Sequence, residues 1–233
     1  MSEPTSAVTA DALSRPLLQR PATLFPLIRH LSYWVTPLLY RSPATPNQIT
    51  ACAMLCGLGA SVAYAFDFYY WDVAAGLLMI LCYVFDNCDG EIARLKNMRT
   101  KFGAAFDTFV DWLVNSTVFI GMGIGLWQRD GWAGWLWLAA AVALGGTINY
   151  ISSTMHHRRH GTGVPDAPTA PKLATFRDRA LFAFRELARA DFCFILFAVA
   201  LFRLEWLLLP AAAAGAQAYW ITAFLKRSRT FHV

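Results

Sequence analysis

The chain has 233 residues, 57% hydrophobic and only 15% charged, with a net charge of +5. Soluble domains average roughly 45–50% apolar and about 25% charged, so a disordered chain, a collagen and an ordinary soluble enzyme are excluded. The apolar excess recurs along the whole chain, which predicts an all-α polytopic membrane protein with a single membrane domain.

Residues 1–21 lack the apolar core of a signal peptide and read as a flexible cytoplasmic tail. In residues 22–45, Leu24, Ile28, Leu31, Val35 and Leu38 recur at four- and three-residue steps, with Arg29, His30 and Arg41 between them. That pattern suits an amphipathic helix lying in the membrane interface, started or kinked by Pro26 and Pro37. A membrane helix needs about 20 mostly apolar residues. Six stretches are assigned as spans, at 47–66, 70–93, 104–127, 132–152, 188–204 and 207–225, within a domain at 46–226. The fifth has a short apolar run, FCFILFAVALF, and a tight turn near Arg203, Leu204 and Glu205 joins it to the sixth. A flexible loop at 161–172 lies between the fourth and fifth, and a basic tail at 227–233 ends the chain. The five cysteines lie in or beside apolar runs with no metal-finger spacing and read as small buried hydrophobes.

The basic residues give orientation. With the N-terminus inside, every Lys and Arg falls on the inner side except Arg129 and Arg203. The positive-inside rule thus supports six spans with both termini in the cytoplasm, and it accounts for the basic charge without nucleic acid.

Charge inside a span is costly and marks function by default. Asp86, Asp89, Glu91, Asp107 and Asp111 put five of the 15 acids into one short stretch, where the second span ends and the third begins. Asp86 and Asp89 are three residues apart and share a helix face with Gly90 and Ala93. Asp107 and Asp111 are four apart, with Gly103 one turn earlier. A short link makes the two helices antiparallel neighbours whose acidic faces can meet at the cytoplasmic edge. Four facing carboxylates need counter-charge. All-oxygen ligation suits a hard cation such as Mg²⁺, Mn²⁺ or Ca²⁺ and not zinc, and two cations would balance four carboxylates. The small residues would let a planar ligand approach the helix backbones. A structural Asp86–Arg94 ion pair and a transporter's ion site are the competing readings. An EF-hand is excluded by its spacing, and transporter sites favour the midplane.

These residues resemble a known family. Asp86, Asp89-Gly90, Ala93-Arg94, Gly103, Asp107 and Asp111 match at every fixed position and gap the signature of the CDP-alcohol phosphotransferases. Eight fixed positions, each with a chance frequency of about 5–8%, coincide by chance in roughly one such chain in 10⁷ to 10⁸. The six spans, the preceding helix and Pro46-Asn47-Gln48-Ile49-Thr50 are also similar to this family.

The resemblance implies an enzyme that moves a phosphoalcohol group from a CDP-alcohol, such as CDP-diacylglycerol, to an acceptor hydroxyl with release of CMP. It implies Asp86, Asp89 and Asp107 as ligands of Mg²⁺ or Mn²⁺, two ions in all, and Asp111 as general base and possible fourth ligand. Asp86, Gly90, Ala93, Arg94 and Gly103 are expected to shape the CDP pocket. Asn47 and Thr50 would touch the pyrophosphate, or simply cap a helix. For a small alcohol or phosphoalcohol acceptor, Asn115 and the arginines Arg177, Arg179, Arg185 and Arg189 are candidates, with Asn149, Ser152 and Ser153 at the end of the fourth span. A homodimer in the bacterial inner membrane, with its site facing the cytoplasm, also follows from the resemblance. Trp112 stands where glycerolphosphate- and inositol-type members usually carry Lys or Arg. Residues 90–96 with 101–103 look closer to the di-inositol-phosphate phosphate synthases, which join polar head groups, so a CDP-inositol donor is the alternative.

Overall fold

All regular structure in the computed structural model is helical across the residues it describes, 24–160 and 190–230. The order is α1 (Ile28–Arg41), α2 (Pro46–Ala65), α3 (Tyr69–Leu95), α4 (Lys101–Asp130), α5 (Gly134–His160), α6 (Phe192–Phe202) and α7 (Glu205–Thr230). The tail at 1–21, the loop at 161–172 and the four acceptor arginines lie outside the described residues.

Local chemistry fixes the helix ends near the acids. Thr45 caps α2 in a reciprocal box with Gln48, and Pro46 follows at the first helical position. Thr100 caps α4 by accepting from the Gly103 N–H at 2.9 Å. Between them α3 stops in a Schellman motif. Asn97 takes a left-handed conformation, φ 54°. The Met98 N–H then reaches back to the Ala93 carbonyl at 2.9 Å. This compact stop turns the chain directly into α4.

Among the described residues, four helices, α2, α3, α4 and α5, are long and apolar enough to cross a membrane. The 11-residue α6 covers only about 16 Å at 1.5 Å per residue, short of a bilayer core. It is shorter than the span expected at 188–204. The expected turn at its end is present: Arg203 adopts a left-handed φ of 55° and Leu204 N bonds Val199 O at 2.9 Å.

Packing places α3 and α4 at the centre. α2 packs on both, α1 and α6 pack on α3, and α5 packs on α4 and α7. Small residues allow the closest crossings. A side chain at Gly121 or Gly125 of α4 would collide with the backbone carbonyls of Ser61 and Tyr64 in α2. On α3, a Cβ at Gly76 would sit 2.7 Å from the Phe197 Cα. Glycine at a four-residue interval is how apolar helices approach without lipid between them. The resulting core includes Tyr64, Met79, Ile92, Met122, Leu196 and Leu209, all nearly inaccessible.

The short link predicts α3 and α4 as antiparallel neighbours whose acidic faces can meet, and acids of the two helices do come within 4.8 Å, although the helix backbones are not closely packed. The glycine-lined seam draws α2 against α4 while α2 also packs on α3, so α2 wedges the pair apart.

Helix α1 also differs in detail. Its buried positions are Ile28, Ser32 and Thr36, whereas Leu31, Trp34 and Leu38 are exposed. The polar residues turn inward because α3 offers Glu91 to them. Thr36 donates to the Glu91 carboxylate at 2.5 Å, and Ser32 lies 3.5 Å from its other oxygen. An outward apolar face is the reverse of a water-soluble helix.

Candidate active site

Asp86 and Asp89 lie in the C-terminal half of α3, and Asp107 and Asp111 in the N-terminal half of α4. Both pairs thus approach the same end of the bundle, the end where α2 begins. Across the α3–α4 gap, one oxygen from each of Asp86, Asp89 and Asp107 lies within 4.8 Å of the others. The Asp86 and Asp107 carboxyl groups thus face each other at close range. Two carboxyl groups so placed need either a shared proton or a cation between them. None of the motif acids is ion-paired with a described Lys, Arg or His, and in particular no Asp86–Arg94 pair forms. Three clustered carboxylates, with no described cation paired to them, fit a hard divalent cation in both donor type and charge.

Asp111, one turn beyond Asp107, shares a cavity with Asp86. It is exposed, and with Asn115 it borders two cavities. One, of about 310 Å³, lies between Ala53 of α2, Cys82 and Asp86 of α3, and Val110 and Val114 of α4. The second, of about 320 Å³, lies on the other side of α4, toward α5 and α7. Asn149 and Ser153 line it beside Asn115, as does Trp112. The Trp112 indole donates to Thr147 at 3.0 Å and stacks on Tyr150 with centroids 5.3 Å apart. An aromatic pair therefore stands where a basic side chain would be expected next to the last acid.

The remaining sequence-derived positions gather at the same end. Thr50 donates to the Asp89 carboxylate, and its own hydroxyl is buried. The Asn47 side-chain oxygen lies 3.1 Å from where a Cβ on Gly103 would stand, so Gly103 keeps α2 and α4 close. Opposite Gly90 the nearest group is the Arg94 guanidinium, at 3.6 Å from a virtual Cβ. Arg94 is exposed and Ala93 half-buried beside it. Glu91, fifth acid of the sequence cluster, points away from the trio toward α1. Sequence reasoning missed Lys96, whose ammonium donates to the Ser42 and Ala44 carbonyls at 2.8 and 2.9 Å. It counted there as a topogenic charge and as the end of the 90–96 run.

Apolar helices long enough to cross a bilayer, with a convergent carboxylate centre near one end, define the class: an all-helical membrane protein with an acidic site. The chain belongs to the CDP-alcohol phosphatidyltransferase family, whose pattern matches residues 43–225. It is 29% identical over 132 residues to a bifunctional IPC transferase and DIPP synthase of Aquifex aeolicus, covering 57% of this chain and 29% of that protein. It is 32% identical over 82 residues to an archaetidylinositol phosphate synthase of Pyrococcus horikoshii, 35% of this chain and 42% of the relative. A phosphatidylinositol phosphate synthase of Mycobacteroides abscessus is 29% identical over 120 residues, 49% and 48% of the two chains. The alignments thus span less than half the length of each of these relatives.

Proposed function

We propose that this protein is an integral membrane CDP-alcohol phosphotransferase, moving a phosphoalcohol group from a CDP-alcohol to an acceptor hydroxyl and releasing CMP. The observation that carries the reading is the convergence of Asp86, Asp89 and Asp107 within 4.8 Å, without a basic partner among the described residues, beside the exposed Asp111. Six spans are part of the proposal, with α6 and α7 as the last two. The amphipathic α1 lies in the interface, since its outward residues Leu31, Trp34 and Leu38 are apolar. The distribution of Lys and Arg supports a site facing the cytoplasm.

Asp86, Asp89 and Asp107, with Asp111 as fourth ligand, would hold Mg²⁺ or Mn²⁺, two ions in all. Such ions, when bound, neutralise the pyrophosphate and the leaving CMP. Thr50 holds the Asp89 carboxylate in place from α2, and Asn47 and Arg94 border the space for the cytidine and its phosphates. Asp111 accepts the proton of the acceptor hydroxyl as its oxygen attacks phosphorus. The phosphorus–oxygen bond to CMP breaks, and CMP carries away the negative charge. Asp111 is also the candidate fourth ligand, since it lines one cavity with Asp86. The acceptor enters through the cavity lined by Asn115, Asn149 and Ser153. Arg177, Arg179, Arg185 and Arg189 belong to the proposal as candidates to hold an acceptor phosphate, and a homodimer is the expected assembly. Phospholipid biosynthesis with CDP-diacylglycerol is the setting we favour, with a CDP-linked polar alcohol as the second donor.

The test is direct. Purified protein with Mn²⁺ or Mg²⁺ is incubated with a panel of CDP-donors and hydroxyl acceptors, and CMP and product mass are measured. Metal-dependent CMP release with one pair is the expected result. No CMP from any pair, with intact protein, would overturn the assignment.

A further inference from the structure

Lys96 stands just past the last turn of α3, seven residues beyond Asp89 and about 10 Å along the helix axis from it. A lysine here has an obvious local use, since it could satisfy the free carbonyls at its own helix end. It does otherwise. Its Nζ crosses to the segment between α1 and α2, donating to Ser42 O at 2.8 Å and Ala44 O at 2.9 Å. That segment is already ordered from within, because the Ser42 hydroxyl donates to Leu39 O at 2.7 Å and accepts from Ala44 N at 3.2 Å. The next residue, Thr45, is the α2 cap. The first turns of α2 then present Asn47 beside Gly103 and Thr50 to Asp89.

One chain of contacts therefore runs from the end of α3 through the ammonium to the start of α2 and back to an acid of α3. We propose that Lys96 is a positioning residue for the donor site: it sets where α2 begins, and so where Asn47 and Thr50 stand against the acids. It touches neither the acids nor the cavities and acts only through α2. Two charge-assisted hydrogen bonds from one nitrogen suit this, since they fix both distance and direction. The inference rests on the transferase reading for its kinetic form.

The test compares Lys96→Met, which keeps the apolar stem and removes the donors, with Lys96→Arg, which restores them. Lys96→Gln is the milder variant should Lys96→Met not fold. Expected for Lys96→Met is a rise of about tenfold in donor KM, with acceptor KM unchanged and kcat within about threefold. Lys96→Arg should recover most of the loss. In a Thr50→Val background the Lys96→Met effect should shrink to about twofold or less, because both act on one contact. A fall in kcat at unchanged donor KM, or undiminished effects in the Thr50→Val background, would overturn the assignment. Mn²⁺-dependent CMP binding by calorimetry separates the two readings. If the wild type binds CMP but transfers nothing, the transferase reading fails alone, and the ratio of CMP affinities between wild type and Lys96→Met decides the role of Lys96. If the wild type binds no CMP, both fail.

Discussion

Each end of the bundle carries a cluster of acids, and the two are built in opposite ways. At the end away from the proposed site, Asp67 meets the guanidinium of Arg129 and lies 2.9 Å from that of Arg203. Arg203 also approaches Asp72 at 3.8 Å, and Arg129 approaches Glu205 at 3.7 Å. Three carboxylates there share two fixed cations, and together they tie the α2–α3 turn, α4 and the α6–α7 turn. At the other end, Asp86, Asp89 and Asp107 face one another with no described cation among them. Acids that arrive with their own arginines hold helices together. Acids that arrive without them leave room for charge from outside.

Substitutions at the two ends should separate these roles. The largest effect is expected for Asp111→Asn, with turnover falling about 10³-fold while Mn²⁺-dependent CMP binding stays within a few-fold of wild type. CMP release at the wild-type rate would remove Asp111 from the base role. Next comes Arg203→Met at the opposite end. It should lower unfolding stability by about 2 kcal/mol, because Asp67 and Asp72 lose a cation, a figure reduced for the partial exposure of the guanidinium. Turnover per folded molecule should not change. A selective loss of turnover, read by CMP release against a thermal unfolding midpoint in detergent, would break the division between ends. The smallest effect is expected for Glu205→Gln. Both Glu205 carboxylate oxygens are buried without a hydrogen bond, and its ion pair is long. Loss of that charge should move stability by no more than about 0.5 kcal/mol. A much larger loss would mean that the third acid is as necessary to the clasp as Asp67.

Much of the site was legible because helix geometry is rigid. Intervals of three and four residues decide which carboxylates share a face, and a short link decides which ends meet. Asp86, Asp89 and Asp107 therefore converge as their spacing requires, and Thr50 joins them because it lies in the opening turns of the preceding helix, α2, at the same depth. The gap between α3 and α4 was not legible. It depends on α2 wedging in at Gly121 and Gly125, and a glycine does not announce its partner. The inward turn of Ser32 and Thr36 was hidden for a similar reason: a periodic apolar pattern shows amphipathicity, but in lipid either face can be the outer one. Arg129 and Arg203 read as mere exceptions to a topological count, and only the fold reveals that both reach Asp67.

Asp191, fully buried just before α6, accepts the backbone N–H groups of both Leu27 and Ile28, at 2.7 and 2.8 Å. One carboxylate thus anchors the opening of α1 across 164 residues of sequence. That tether gives the molecule a timetable. During synthesis, α2, α3 and α4 can enter the bilayer and bring their acids together while α1 still lacks its anchor, because its partner has yet to be made. Thr36 can already hold the body of α1 to Glu91, but the opening of the helix is fastened only when Asp191 arrives. A chain stopped before Asp191 would carry every residue of the signature and still lack the fastening of that opening.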